Sequence, residues 1–201
     1  MNGFRNANSL VLEGIITTLP ARDAAPSLAN ISPMGPIVDA SMSRFVLRPF
    51  DTSTTCRNLK ATGQGVFHVV DDVLLLARSA IRAMTPADSV DVRRAQQVSG
   101  VVLADACRHY ELQVESIDES DERARIEVRV VHVGRHRDFF GFNRAKHAVV
   151  EAAILATRVH LTGSAHVLAE YDRLAAPIEK TGGDAERQAM AELTVYVRDH
   201  R

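Results

Sequence analysis

The sequence predicts an α+β fold, an antiparallel β-barrel followed by a C-terminal helical region. Three observations carry that prediction. Two long runs, His109 to Ile117 and Arg123 to Val133, flank the polar turn Asp118 to Glu122, and in the second Ile126, Val128 and Val130 alternate with charged or polar neighbours. Short apolar runs before them are separated mostly by Pro- and Gly-containing turns, without the repeated alternating βαβ units of a doubly wound parallel sheet. From Asn143 onward the apolar period becomes helical.

Residues 1–9 are polar and expected to fray. Ser9 to Leu19 is rich in aliphatic and β-branched residues and reads as a strand. A turn-prone stretch, Pro20 to Pro26, leads to a second strand, Ser27 to Ile31, and Ser32-Pro-Met-Gly-Pro36 then breaks regular structure. Ser43 to Pro49 is the next strand, with Phe45 and Leu47 on one face and Arg44, Val46 and Arg48 on the other. A short helix spans Thr54 to Thr62 and stops at Gly63. Gly65 to Val70 is almost wholly apolar and needs cover on both sides, with His68 as its single polar residue. Asp71 or Asp72 caps a helix from Val73 to about Ala83, ended by Pro86. The stretch from Thr85 to Gly100 is charged and turn-prone. Asn143 caps a helix reaching Leu161, and a last helix starts at Asp184 after Gly182-Gly183. The expected division is a barrel domain over residues 1–137 and a helical region over 138–201.

Composition narrows the function. With 201 residues and a formal net charge of -1, nothing pulls the chain toward nucleic acid or an acidic membrane surface. Two cysteines, Cys56 and Cys107, form neither a disulfide framework nor a zinc spacing, which points to a reducing, cytoplasmic setting. No run approaches the ~20 apolar residues of a membrane span, and no leader pattern precedes Leu10.

The chemistry concentrates at Arg48-Pro-Phe-Asp-Thr-Ser-Thr-Thr-Cys-Arg-Asn-Leu59, where a strand meets a helix start. Backbone N–H groups there lack intrahelical partners, and the helix dipole adds about half a positive charge, so an anion such as phosphate fits. Ser53, Thr54 and Thr55 can donate hydroxyl hydrogens, while Arg48 and Arg57 supply formal charge. The same residues serve equally as an ordinary helix cap.

Asn30-Ile-Ser-Pro-Met-Gly35, Arg48-Pro-Phe50, Ser53 with Thr55-x-x-Asn58, and the strand ending in Asp71-Asp72 together resemble the FMN-binding split-barrel flavoproteins. The chain is most similar to an uncharacterised branch carrying a Gly-Phe-Asn-Arg-Ala helix start, here Gly141 to Ala145, and two C-terminal helices. The resemblance implies a six-stranded, flavin reductase-like split barrel that forms a homodimer with FMN near the subunit interface. It places Ser53, Thr54, Thr55, Arg57 and Asn58 at the phosphate and ribityl end, with Arg48 and Phe50 beside them. The segment Asn30, Ser32, Pro33, Met34 and Gly35 would approach the flavin ring. Asp51 must then point away or cap the helix. The expected activity is an oxidoreductase using FMN on an unidentified small substrate, a pterin-like molecule being one that the resemblance allows. A non-catalytic flavin carrier or sensor, or a flavin-free dimer binding another phosphorylated ligand, stand as alternatives.

Other candidates carry less. Arg144, His147, Glu151 and Arg158 read as a solvated helix stripe, or as contacts to an anion. His132 and His136 lie four apart without an evident third ligand, so no metal is expected. His68 reads as a hydrogen-bonded core or dimer-interface residue. Cys56, in the first helical turn, sits where a thiol pKa is lowered, though a bound phosphate would oppose this. The basic residues Arg78, Arg82, Arg93 and Arg94 are interleaved with Asp88 and Asp91, against nucleic-acid binding.

Overall fold

The computed structural model describes residues 10–82 and 84–200. The expectations for residues 1–9 and Ala83 lie outside them. The described residues form two compact units, one of residues 10–70 and 84–138, the other of residues 71–82 and 139–200.

The first unit is a curled, wholly antiparallel sheet. Its strands are β1 (Leu10–Val11), β2 (Gly14–Thr18), β3 (Asn30–Met34), β4 (Ile37–Val38), β5 (Arg44–Leu47), β6 (Gln64–Val69), β9 (Arg108–Asp118) and β10 (Arg125–Arg135). Their order is β1-β4-β5-β10-β9-β6-β2-β3. That makes eight strands where six were expected. The run before Pro20 breaks in two around Leu12 and Glu13, and Ile37–Val38 adds a short strand. A separate ribbon, β7 (Val92–Arg94) with β8 (Val101–Leu103), occupies the stretch that sequence patterning left open.

Phe45, Leu47, Leu59, Phe67, Leu112 and Ile126 fill one side of the sheet. Phe45 meets Phe67 edge-on at 5.8 Å between ring centroids and tilts against Tyr110 at 5.2 Å. On the opposite side Val66 packs against Val98 and Val102. The cover that β6 requires on its second face therefore comes from this chain's own β7–β8 segment, and no second subunit is needed for it. Val46 is fully buried on the face it shares with exposed Arg44 and Arg48, so that face of β5 is covered at its middle.

The break expected at Ser32 to Pro36 begins later. Ser32 and Pro33 lie inside β3, paired with Ile16 and Ile15 of β2. β3 ends the sheet, and an edge strand tolerates a proline whose missing N–H faces outward.

Helix α1 (Thr54–Thr62) occupies the residues read for it. Gly63 adopts φ 68° and returns its N–H to the Leu59 carbonyl at 2.8 Å, a left-handed stop that glycine reaches at little cost.

The second unit is helical, comprising α2 (Val73–Ile81), α3 (Arg144–Ala156), α4 (Val159–Thr162), α5 (Ser164–Thr181) and α6 (Asp184–Asp199). Asp72, rather than Asp71, caps α2 through a bond from the Leu75 N–H. Asn143 caps α3 by accepting from the Lys146 N–H at 3.1 Å. The helix expected to reach Leu161 stops at Ala156, and α4 takes up the remainder. Helix α5 escapes periodicity because Pro177 sits inside it; Thr181 Oγ1 donates to the Pro177 carbonyl at 2.8 Å. The alanine face of α3 is buried: Ala145, Ala148, Ala152, Ala153 and Ala156 let the backbones approach, and Tyr171 of α5 donates its hydroxyl to the Ala152 carbonyl at 2.8 Å. Lys146 donates to the Asp71 carbonyl at 2.6 Å and pairs with Glu186 at 3.0 Å, tying α3 to both neighbours.

Candidate functional site

The start of α1 and the first residues of β3 come together. Asn30 Nδ2 donates to Ser32 Oγ at 2.9 Å and to Thr55 Oγ1 at 3.1 Å. One side chain thus bridges two segments 25 residues apart in sequence. Ser53 is the N-cap, its Oγ accepting from the Cys56 N–H at 3.1 Å and donating to the Phe50 carbonyl at 2.7 Å. The cap satisfies one orphan donor, and helix geometry leaves the Thr54 and Thr55 N–H groups without intrahelical partners. Thr54 is exposed and Thr55 buried.

Positive charge surrounds this helix start. Arg57 folds back over the first turn, donating to the Thr52 carbonyl and, at 2.9 Å, to Thr54 Oγ1. Arg48 is exposed, and its carbonyl accepts from Arg123 at 3.3 Å. The Arg123 guanidinium lies 3.9 Å above the centroid of the Phe50 ring, a cation–π contact. Arg123 has no signal in the sequence. It reaches the site only because Phe50 and Arg123 form an isolated bridge at the far end of the β9–β10 hairpin. Asp51 is exposed and does not cap the helix.

Asn58 is buried and turned inward. Its Nδ2 donates to Thr18 Oγ1 at 3.1 Å, so it fastens α1 to β2. Pro33, Met34 and Gly35 are half-buried along and just beyond the edge strand. A Cβ at Gly35 would stand 3.0 Å from the Glu13 carboxylate oxygens, a tight contact that a small shift of the Glu13 side chain would relieve.

Cys56 is fully buried in the core, and burial pushes its thiol up, overriding the lowering that a helix start would give. Arg144, His147, Glu151 and Arg158 are all exposed, matching the solvated-stripe reading. The basic cluster is dispersed: Arg78 makes a two-pronged pair with Glu192 at 2.6 and 2.9 Å, and Arg93 turns to His136. His68 is a core residue, its Nδ1 3.1 Å from the Ile15 carbonyl and its Nε2 accepting from the Leu103 N–H at 3.1 Å. Those two partners fix the tautomer with the proton on Nδ1, and burial holds the imidazole down to about 3.

A curled antiparallel sheet with a helix start at its rim and a following helical unit defines a flavin reductase-like barrel with a C-terminal helical extension. Models of the family described as protein of unknown function (DUF447) match the chain twice, the N-terminal domain over residues 12–137 and the C-terminal part over residues 143–194. The chain belongs to that family. Its structure is similar to that of an FMN-bound protein of the family from Methanosarcina mazei, with 23% identity, 95% of each chain covered and a TM-score of 0.76. The NADH:FAD oxidoreductase of Streptomyces globisporus C-1027 shares the barrel, with 14% identity over 63% of this chain and 75% of that one at a TM-score of 0.50. So does the flavin reductase component of a bacterial two-component tryptophan halogenase, with 10% identity over 65% of this chain and 82% of that one at a TM-score of 0.50. No curated protein matches the sequence significantly.

Proposed function

We propose that this chain is an FMN-binding flavoprotein, with the phosphate at the start of α1 and the flavin ring along the end of β3. The observation that carries the reading is the Asn30 bridge to Thr55 and Ser32, which sets the two segments side by side. Phosphate oxygens accept from the Thr54 and Thr55 N–H groups and the Thr54 hydroxyl, and from the Ser53 hydroxyl once it turns from the Phe50 carbonyl, with Arg57 and Arg48 neutralising charge. Arg57 already rests on Thr54 Oγ1 and needs only a small swing. Asn58 supports the site from behind by holding α1 on β2. Half-buried Pro33 and Met34 offer an apolar wall, and Gly35 lets the backbone approach a planar ring. The M. mazei relative, bound to FMN, supports FMN as the cofactor.

When bound, FMN supplies two-electron and one-electron transfer, and the protein positions the ring and shapes access to it. None of the side chains around the α1 start is poised as a general acid or base. The proposed activity is an FMN-dependent oxidoreductase acting on a small-molecule substrate, with the redox chemistry supplied by the flavin. The competing role is a flavin carrier or sensor. We further infer a homodimer, supported by exposed Phe139, Phe140 and Phe142, which are 47, 70 and 96% accessible.

Reconstitution with FMN followed by anaerobic titration with NADH and NADPH tests this reading. Bleaching of the flavin absorbance and its return on adding an acceptor are expected. A flavin that binds yet is reduced by neither nicotinamide identifies the carrier role. Failure to take up FMN overturns the assignment.

A further inference from the structure

A second cluster of chemistry-bearing residues lies on the other side of the sheet, beneath the β7–β8 segment. His109 and Glu111 are two apart on β9 and so share a face. Across the ladder, Glu111 pairs with His132 of β10, next to a register shift between Val130 and His132. The bulge turns His132 toward the face that Glu111 and His109 already occupy. The imidazole nitrogens and carboxylate oxygen of the three residues lie within 4.8 Å of one another.

The individual groups are set as ligands. His109 Nε2 is buried and has no hydrogen-bond partner among the described residues, an arrangement native structures seldom keep. It lies 3.4 Å from Glu111 Oε1. That separation matches two donors on one tetrahedral ion, about 3.3–3.5 Å for bonds of the usual ~2.0–2.2 Å. Glu111 is held rigidly, accepting from the Gln96, Gln97 and Val98 N–H groups at 2.8, 2.6 and 3.0 Å, and keeps lone pairs to spare. The His109 ring lies across Gly134, where a Cβ would stand 2.1 Å from its Cε1, so glycine is required for the ring to sit there. His109 Nδ1 meets His136 Nε2 at 2.8 Å with the rings parallel to within 1°, the outer hydrogen bond that a ligating imidazole commonly makes.

We propose that His109 Nε2, Glu111 Oε1 and His132 bind one divalent transition-metal ion of the zinc class, with water in the fourth position. Two imidazoles and one carboxylate without a thiolate suit zinc and its neighbours, whereas calcium and magnesium favour oxygen-only shells. On loading, the pair changes tautomer with no net proton release: His109 loses its Nε2 proton to solvent and takes the His136 Nε2 proton on Nδ1, while His136 regains one from solvent on its Nδ1. His136 then carries its proton on Nδ1, so the exposed Arg93 side chain, 2.7 Å from that atom, moves aside. Because Glu111 also anchors the Gln96–Val98 amides, the ion would clamp the β7–β8 segment onto the barrel.

Cobalt(II) titration of the chelator-treated full chain tests the proposal. One equivalent should produce d–d absorption of tetrahedral type, displaced stoichiometrically by Zn2+, and extended X-ray absorption should show two imidazoles on the metal. His132→Ala, at a half-exposed position, should weaken Co2+ binding at least 100-fold, while the double variant His160→Ala/His166→Ala, on exposed helical positions, binds as wild type. Zn2+ should raise the melting temperature of the wild type and leave that of His132→Ala unmoved. Should His132→Ala fold poorly, the wild-type absorption spectrum alone decides through its imidazole count. Binding that persists in folded His132→Ala, that is lost with His160 and His166, or that shows fewer than two imidazoles would overturn the site.

Discussion

His68 shows how much one side chain can set. It is fully buried, and both ring nitrogens are committed to backbone partners in the neutral form. Its pKa falls to about 3 when folded, mainly through burial, against about 6.5 in an unfolded chain. Between those values the unfolded state binds a proton that the folded state refuses, so stability rises with pH through that window and is lost as pH falls from about 6.5 toward 3. The contribution approaches about 1.4 kcal/mol per pH unit inside the window. NMR titration of the His68 ring should show no protonation step above pH 4, and a step near 6.5 would contradict the buried, neutral assignment. At the same scale, Arg123 and Glu111 illustrate what sequence withholds. Arg123 reads as the first residue of a strand and Glu111 as one charge within another, and only long-range packing brings each to its partner.

At the scale of elements, α1 was legible to the residue because its signals are local: Ser/Thr at the start, Gly at the stop. β3 was not, since Pro33 argues against any strand and only its edge position reconciles the two. Helix α5 was hidden by Pro177, and the β7–β8 ribbon by two three-residue strands, one charged and one apolar. The α1 start also carries the account's main mutational test. Replacing Ser53, Thr54 and Thr55 together with Ala removes a cap worth about 1 kcal/mol of stability. If the same hydroxyls hold phosphate, it also removes charge-assisted bonds of roughly 1.5–3 kcal/mol each before water replaces them. Titration should show FMN affinity falling by 100-fold or more while the flavin-free melting temperature drops by only a few degrees. A variant that melts early yet binds FMN as wild type would reduce these residues to a cap. Arg144→Ala, on the exposed stripe of α3, should leave both unchanged.

For the whole molecule, the barrel and the helical region were both readable from periodicity, whereas the strand count and the cover over β6 depend on long-range packing. No helix among the described residues is long and apolar enough to cross a membrane. The exposed Phe139, Phe140 and Phe142 segment sets the expectation for assembly: light scattering at micromolar concentration should give the mass of two chains, and a monomer in the presence of FMN would count against the dimer. The central claim is that the α1 start is a phosphate site and not simply a capped helix. Fluorescence-quenching titrations of FMN and riboflavin against the same preparation test it most directly. The two ligands share the ring and ribityl chain and differ only in the phosphate. One set of charge-assisted contacts, about 1.5–3 kcal/mol, predicts that FMN binds at least tenfold more tightly than riboflavin. Equal affinity for the two would contradict the account.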